Sequence, residues 1–264
     1  MNTLNQPQAS TAIRLKLKCR RLLWQTIWLL AAPLLLVAWW QGKKLKQHAL
    51  RFPEAKGSRN GLIVQPEKNT PSSSNKQPAL CICIIGESPA AGVGIDQFHH
   101  SLAPNIAQQF ALKTFRQVQW QALAKNGSTL QQLIEQQAGY FQPQDISLVI
   151  MGVNDATGLT SSRRWKQQLR QLIELLRNSQ SQQIAFSATP ALEQFPGMPK
   201  PLGWIMGIRS RIINLSLGEV CLEQNCHWIT GDFQLEIGMM AVDGFHPSRS
   251  GVKGWAHSLV SAFD

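Results

Sequence analysis

Leu80-Cys-Ile-Cys-Ile-Ile-Gly-Glu-Ser-Pro-Ala-Ala-Gly-Val-Gly-Ile-Asp96 is the stretch whose reading decides the fold. Its first half is an apolar run with β-branched Ile82, Ile84 and Ile85, the composition of a strand buried on both faces of a parallel sheet. The run stops at Gly86-Glu87-Ser88-Pro89, so Ser88 falls just past a strand's carboxyl end. Ligands of open α/β sheets bind at that rim, which makes the Ser88 hydroxyl a candidate nucleophile. Ser followed by Pro is also a good helix start, with Ser as N-cap and Pro in the first turn, and taken alone the two readings are evenly matched.

Outward from this strand, apolar strand patterns at 80–85, 118–124, 146–151, 183–188 and 227–230 alternate with helical patterns at 104–116, 129–137, 162–178, 204–224 and 248–263. Such alternation builds a parallel sheet covered by helices, and five strands with right-handed crossovers suit a flavodoxin-like α/β sheet. Two further strand ends carry polar signals. Gly127 follows the second strand, where it serves either as a turn glycine or as a residue whose missing Cβ lets a backbone N–H approach a substrate oxygen. Asn154-Asp155 follows the third, where the pair reads as an Asx turn or cap, as an oxyanion donor through the Asn154 amide, or as both at once.

Near the end of the chain, Asp243-Gly-Phe-His246-Pro places a carboxylate three residues before an imidazole. A serine hydroxyl attacks well only when a base takes its proton, and an imidazole does so best when a carboxylate fixes its tautomer. Ser88, His246 and Asp243 fill those roles. His99, His100, His227 and His257 lack a comparable partner in sequence and carry less weight.

With these four blocks in view, the chain resembles the SGNH, or GDSL-type, hydrolases. Gly86-Glu87-Ser88 with Gly92 resembles the first family block, Gly127 the second, Gly152-Val-Asn154-Asp155 the third and Asp243-Gly-Phe-His246-Pro the last, in the family's order across residues 80–264. The resemblance implies a three-layer flavodoxin-like fold, serine esterase chemistry without metal or organic cofactor, and an oxyanion hole from the N–H groups of Ser88 and Gly127 and the Asn154 amide. It implies acyl esters, lipids among them, as substrates. One departure is Glu87, where the family usually has Asp; the longer side chain bears on loop geometry rather than on nucleophile or base.

The net charge of +11 is not spread over this hydrolase-like part. Residues 1–78 hold 13 of the 26 Lys and Arg against only Glu54 and Glu67, so the whole excess lies there and residues 79–264 are neutral. Nucleic acid is therefore not an expected partner of the globular part. Residues 22–40 carry no charge and as a helix would extend about 28 Å, close to a bilayer's hydrocarbon thickness, with Trp24 and Trp39-Trp40 near the two ends. The expectation is a single-pass N-terminal membrane helix, with Pro33 tolerated inside it. A cleaved signal peptide is the alternative, disfavoured by the length of the run and by bulky Trp39-Trp40 at the cleavage position. Basic residues on both flanks leave the orientation open. The organisation expected is a basic tail over 1–21, the membrane helix over 22–40, a juxtamembrane segment and tethering linker over 41–79, and the hydrolase domain over 80–264.

Cys221 and Cys226 are placed either to bridge or to remain thiols, and no Cys/His spacing resembles a zinc site. The apolar loops around Phe195, Met198 and Trp204, and around Met239 and Met240, read as core packing or as the wall of an acyl pocket. Two rival functions stand beside the lipase or esterase reading: a carbohydrate O-acetyl esterase, and a catalytically silent tethered binding domain in which Ser88 only caps a helix.

Overall fold

The computed structural model describes residues 11–48, 50–64, 77–230 and 237–263; the first part of the basic tail and the Pro- and Ser-rich portion of the expected linker lie outside them. In chain order the elements are α1 (Thr11–Leu30), α2 (Leu35–His48), β1 (Asn60–Ile63), β2 (Leu80–Gly86), α3 (Leu102–Thr114), β3 (Val118–Ala124) and α4 (Leu130–Gln137). There follow β4 (Gln144–Ile150), α5 (Val153–Thr157), α6 (Ser162–Asn178), β5 (Ser181–Ser187), α7 (Leu202–Gln224), β6 (His227–Ile229) and α8 (Arg249–Ser261).

The sheet runs β1-β3-β2-β4-β5-β6, with β2 to β6 parallel and β1 antiparallel to β3. The five parallel strands are those expected, in a doubly wound order. Period-two alternation divides their side chains between two cores. Ile82, Ile84, Ala122, Leu148 and Ala185 face the layer of α3 and α8, whereas Ile85, Leu123, Val149 and Phe186 face that of α4, α6 and α7. All these residues are buried, which is why β2 reads as an unbroken apolar run, whereas β3 opens with alternating Val118-Gln-Trp-Gln.

The sixth strand corrects the expected five-stranded sheet and the expected free linker. Asn60–Ile63 pairs with Val118–Gln121, and the chain just before it is fastened to the turn that carries Ser88. Ala55 N–H donates to Ala91 O, Lys56 N–H to Asp96 O at 3.1 Å, and Phe98 N–H to Lys56 O at 2.7 Å. Glu54 Oε1 accepts from Asn126 N–H at 2.6 Å. Ala55 is buried against Gly92, whose positive φ of 73° and lack of Cβ allow the contact; a Cβ there would lie 2.7 Å from that of Ala55. The boundary drawn at residue 80 thus cuts through packed structure. Enlarging this contact by Ala55→Leu is expected to destabilise the fold by about 1–3 kcal/mol, the usual cost of overpacking a tight site. Thermal denaturation checks this, since a free tether would tolerate the change with no shift in midpoint.

The N-terminal segment also departs from expectation. No single helix among the described residues is long and apolar enough to cross a membrane; α1 and α2 together satisfy that measure but are bent by 53°. The break falls at Pro33, whose ring removes a donor and crowds the preceding turn, leaving a short 3₁₀ turn over Ala32–Leu34. Both helices lie along α7. Arg21 donates to Glu219 at 2.5 Å, Gln25 to Ser162 Oγ at 3.1 Å, and the Gln41 amide both donates to Lys200 O and accepts from Leu202 N–H. The Arg209 and Arg211 guanidinium groups sit over the rings of Trp28 and Trp24. α7 is covered nearly all round, with only Trp204 and Glu223 exposed, because the sheet layer covers one side and these helices the other.

Cys221 and Cys226 are free thiols, so the bridge that sequence left open is not formed. Both are buried, and burial raises the pKa of each thiol.

Candidate active site

Ser88 emerges from β2 into consecutive turns, with Ala91 N–H bonded to Glu87 O and Val93 N–H to Ser88 O. The next helix, α3, begins only at Leu102 and has Ser101 at its N-cap, so the helix-capping reading of Ser88-Pro89 is not what the fold uses. Gly86 is required here for space: a Cβ would meet Ala90 Cβ at 2.6 Å and Ile150 O at 2.8 Å, which lets the turn fold back over the strand end.

Asp243 and His246 form a compact pair. His246 Nδ1 lies 2.6 Å from Asp243 Oδ2, while Asp243 Oδ1 accepts the N–H groups of Phe245 and His246. Burial works to raise the Asp243 pKa, but the hydrogen bonds from the His246 ring and the two N–H groups, together with the imidazole's charge, outweigh it and hold the carboxyl below its ordinary value. Gly244, with a φ of 69°, allows the tight turn between them, and Gly197 packs where a Cβ would strike the Phe245 ring. Phe195 meets Phe245 edge-on at 6.3 Å, so the loop before α7 braces the imidazole block.

Ser88, Asn154 and His246 line one cleft of about 660 Å³, within the range of small-molecule sites. Among the described residues no hydrogen bond links Ser88 Oγ to His246; the ring nitrogen that Asp243 leaves unengaged is Nε2. Phe195, Met198 and Met240 belong to the wall, as the pocket reading of the apolar loops had it, whereas Trp204 is exposed outside it and Met239 is not part of it. Gly127 adopts a left-handed φ of 76° with open space on its Cβ side, and its neighbour Asn126 rather than Gly127 itself lines the cleft.

Asn154 and Asp155 divide their work. Asp155 is fully buried and accepts Leu130 N–H at 2.9 Å and Thr160 Oγ1–H at 2.8 Å, tying α4 to the α5 loop; burial raises its pKa against those bonds. The Asn154 amide donates to Glu87 Oε2 at 2.6 Å and to Ser128 O at 3.1 Å, so both its hydrogens are engaged within the protein.

Glu87 is the site residue that sequence reasoning undervalued. Its buried carboxylate accepts Val153 N–H, Asn154 N–H and the Asn154 amide at 2.6–3.0 Å. Burial pushes its pKa up to about 7, helped by the Asp155 charge and opposed by the bonds from Asn154 and Val153. The signal for it was the Glu in place of the expected Asp. Leu45 and Lys46 of α2 also line the cleft, and nothing in the sequence placed a juxtamembrane residue there. No group of three His, Cys, Asp or Glu side chains among the described residues is arranged to hold a metal ion.

The fold is a mainly parallel sheet with Ser88, Asn154 and His246 on one cleft at its carboxyl rim. The sequence matches the GDSL-like Lipase/Acylhydrolase family over residues 84–253, and the chain belongs to that family. Among solved structures it is similar to "Crystal Structure of TesA" (TM-score 0.55, 13% identity, 70% of this chain and 98% of that one) and to the lipase/acylhydrolase from Enterococcus faecalis (0.54, 16%, 69% and 94%). The psychrotrophic esterase EstA from Pseudoalteromonas sp. is also similar (0.51, 16%, 69% and 97%). At these identities the likeness is one of fold. No curated protein matches the sequence significantly.

Proposed function

We propose that the chain is a serine ester hydrolase that cleaves acyl esters through an acyl-enzyme. The observation that carries this reading is the Asp243–His246 pair held at 2.6 Å on the wall that Ser88 also lines. Ser88 attacks the ester carbonyl as His246 accepts its proton; His246 then returns that proton to the leaving alcohol, and water releases the acid by the same route. Asp243 fixes the tautomer that leaves Nε2 as the base. The Ser88 N–H stabilises the oxyanion, joined by the Asn154 amide when it exchanges its longer bond, to Ser128 O, for the substrate oxygen, whereas Gly127, the further donor that the family resemblance implies, stands outside the cleft wall. Phe195, Met198 and Met240 favour a flexible acyl chain over an acetyl group, which supports a lipid-like ester over an O-acetylated sugar.

A fluorophosphonate probe tests the chemistry. It is expected to label the chain at Ser88, and labelling should be blocked by prior incubation with a medium-chain aryl ester. An unlabelled, folded protein would return the chain to the silent binding-domain reading.

A further inference from the structure

α1 and α2 present two different faces. Leu17, Arg21, Trp24, Trp28, Ala31, Leu35, Ala38, Gln41 and Leu45 recur at three- and four-residue spacing and are buried or half-buried, a seam turned to the protein. On the opposite side Leu23, Leu29, Leu30, Leu36, Trp39 and Trp40 are each more than half exposed. A helix apolar all round is ordinarily covered all round, and the protein covers only one side of this pair.

Charge identifies the cover. No acidic residue precedes Glu54, whereas Arg14, Lys16, Lys18, Arg20, Lys43, Lys44, Lys46 and Arg51 are all exposed. Lys43 and Lys44 stack over the Trp39 and Trp40 rings at 5.6 and 5.4 Å, which places cations beside aromatic rings suited to the polar–apolar boundary of a membrane. A basic rim around an exposed apolar ridge fits an anionic lipid surface. Crossing the bilayer would instead pull the pair off α7, separating Arg21 from Glu219 and stripping Gln25 and Gln41 of their partners. The same helix pair reaches the catalytic cleft, because Leu45 and Lys46 at the end of α2 form part of its wall.

We infer that α1 and α2 form an in-plane anchor, docked on α7 by one face and bedded by the other in an anionic bilayer surface, with Leu45 and Lys46 setting the mouth of the catalytic cleft at that surface. The enzyme then draws its ester from the bilayer rather than from bulk water. Only this last step rests on the esterase reading.

The test uses the full chain, diluted from detergent onto preformed vesicles of phosphatidylcholine alone or mixed with phosphatidylglycerol. Flotation with the mixed vesicles is expected, together with labelling of Ser10→Cys, in a Cys19→Ser/Cys81→Ser background, by an impermeant maleimide without detergent. Trp39→Ala/Trp40→Ala should float roughly tenfold less and turn over a long-chain ester in the vesicles correspondingly more slowly, with hydrolysis of a short soluble ester unchanged. Absence of flotation, equal flotation on phosphatidylcholine alone, or labelling only after detergent, the mark of a crossing helix, would each overturn the anchor. An unmodified chain that floats and labels as expected but hydrolyses neither ester would overturn the esterase reading and leave the anchor standing.

Discussion

Ser88→Ala is expected to lower kcat/KM for a simple aryl ester by about 10⁴-fold or more, the scale on which loss of a serine nucleophile acts when the rest of the site persists. The fold should be unaffected. The turn around Ser88 is made by main-chain bonds, Val93 N–H to Ser88 O and Ala91 N–H to Glu87 O, and alanine keeps both. Ser88 is also only half-buried, so removing its hydroxyl leaves no orphaned group deep in the core. His246→Ala should give a loss of similar size, and the double variant little more than either alone, because nucleophile and base act as one unit. Kinetics on the three variants, with thermal denaturation as the control for folding, check the claim. Retention of most turnover in Ser88→Ala would remove it from the reaction. Additive losses in the double variant would mean that His246 does not activate Ser88.

What made these residues legible in the sequence is that each lies where a regular pattern breaks. Ser88, Gly127 and Asn154 each follow an apolar strand run, and the parallel order of β2, β3 and β4 brings those strand ends side by side. Asp243 and His246 were legible for a local reason: a carboxylate that accepts the N–H groups two and three residues ahead folds its own chain into a turn that returns the ring to it. The strand Asn60–Ile63 was hidden because four residues are too few to show a period among the surrounding Pro, Gly and Ser. The N-terminal helices misled for a different reason. An uncharged run of residues 22–40 reports an apolar segment without reporting that it bends at Pro33 or that one of its faces is covered by α7. The polar residues just inside and outside that run, Arg21, Gln25 and Gln41, are the ones that dock on the protein.

Glu87→Gln tests a role no strand-end pattern announces, and its effects should appear in stability, in pH dependence and in rate. Three N–H donors converge on the Glu87 carboxylate, and an amide in its place turns an NH₂ toward at least one of them. The orphaned buried donor should cost about 1–3 kcal/mol of stability at neutral pH. The pH dependence has a definite sign. With a folded pKa raised from 4.5 to about 7, the folded chain holds a proton that the unfolded chain has released between those values. Glu87 therefore contributes its pH-linked stability fully below its unfolded pKa and loses it as pH rises toward 7. Its share of the slope is at most about 1.4 kcal/mol per pH unit. Asp243, whose pKa is lowered, acts with the opposite sign and only in the more acid window, so the two do not overlap. Urea denaturation at intervals from pH 5 to 8 should show the stability of the unmodified chain falling relative to that of Glu87→Gln as pH rises, since the difference between the two isolates the Glu87 contribution. Because Glu87 also orients Asn154, kcat should fall toward the loss of one oxyanion donor, about 10²–10³-fold, with KM little changed. A variant with normal kcat and an unaltered pH slope would show that Glu87 neither titrates in this window nor positions the amide.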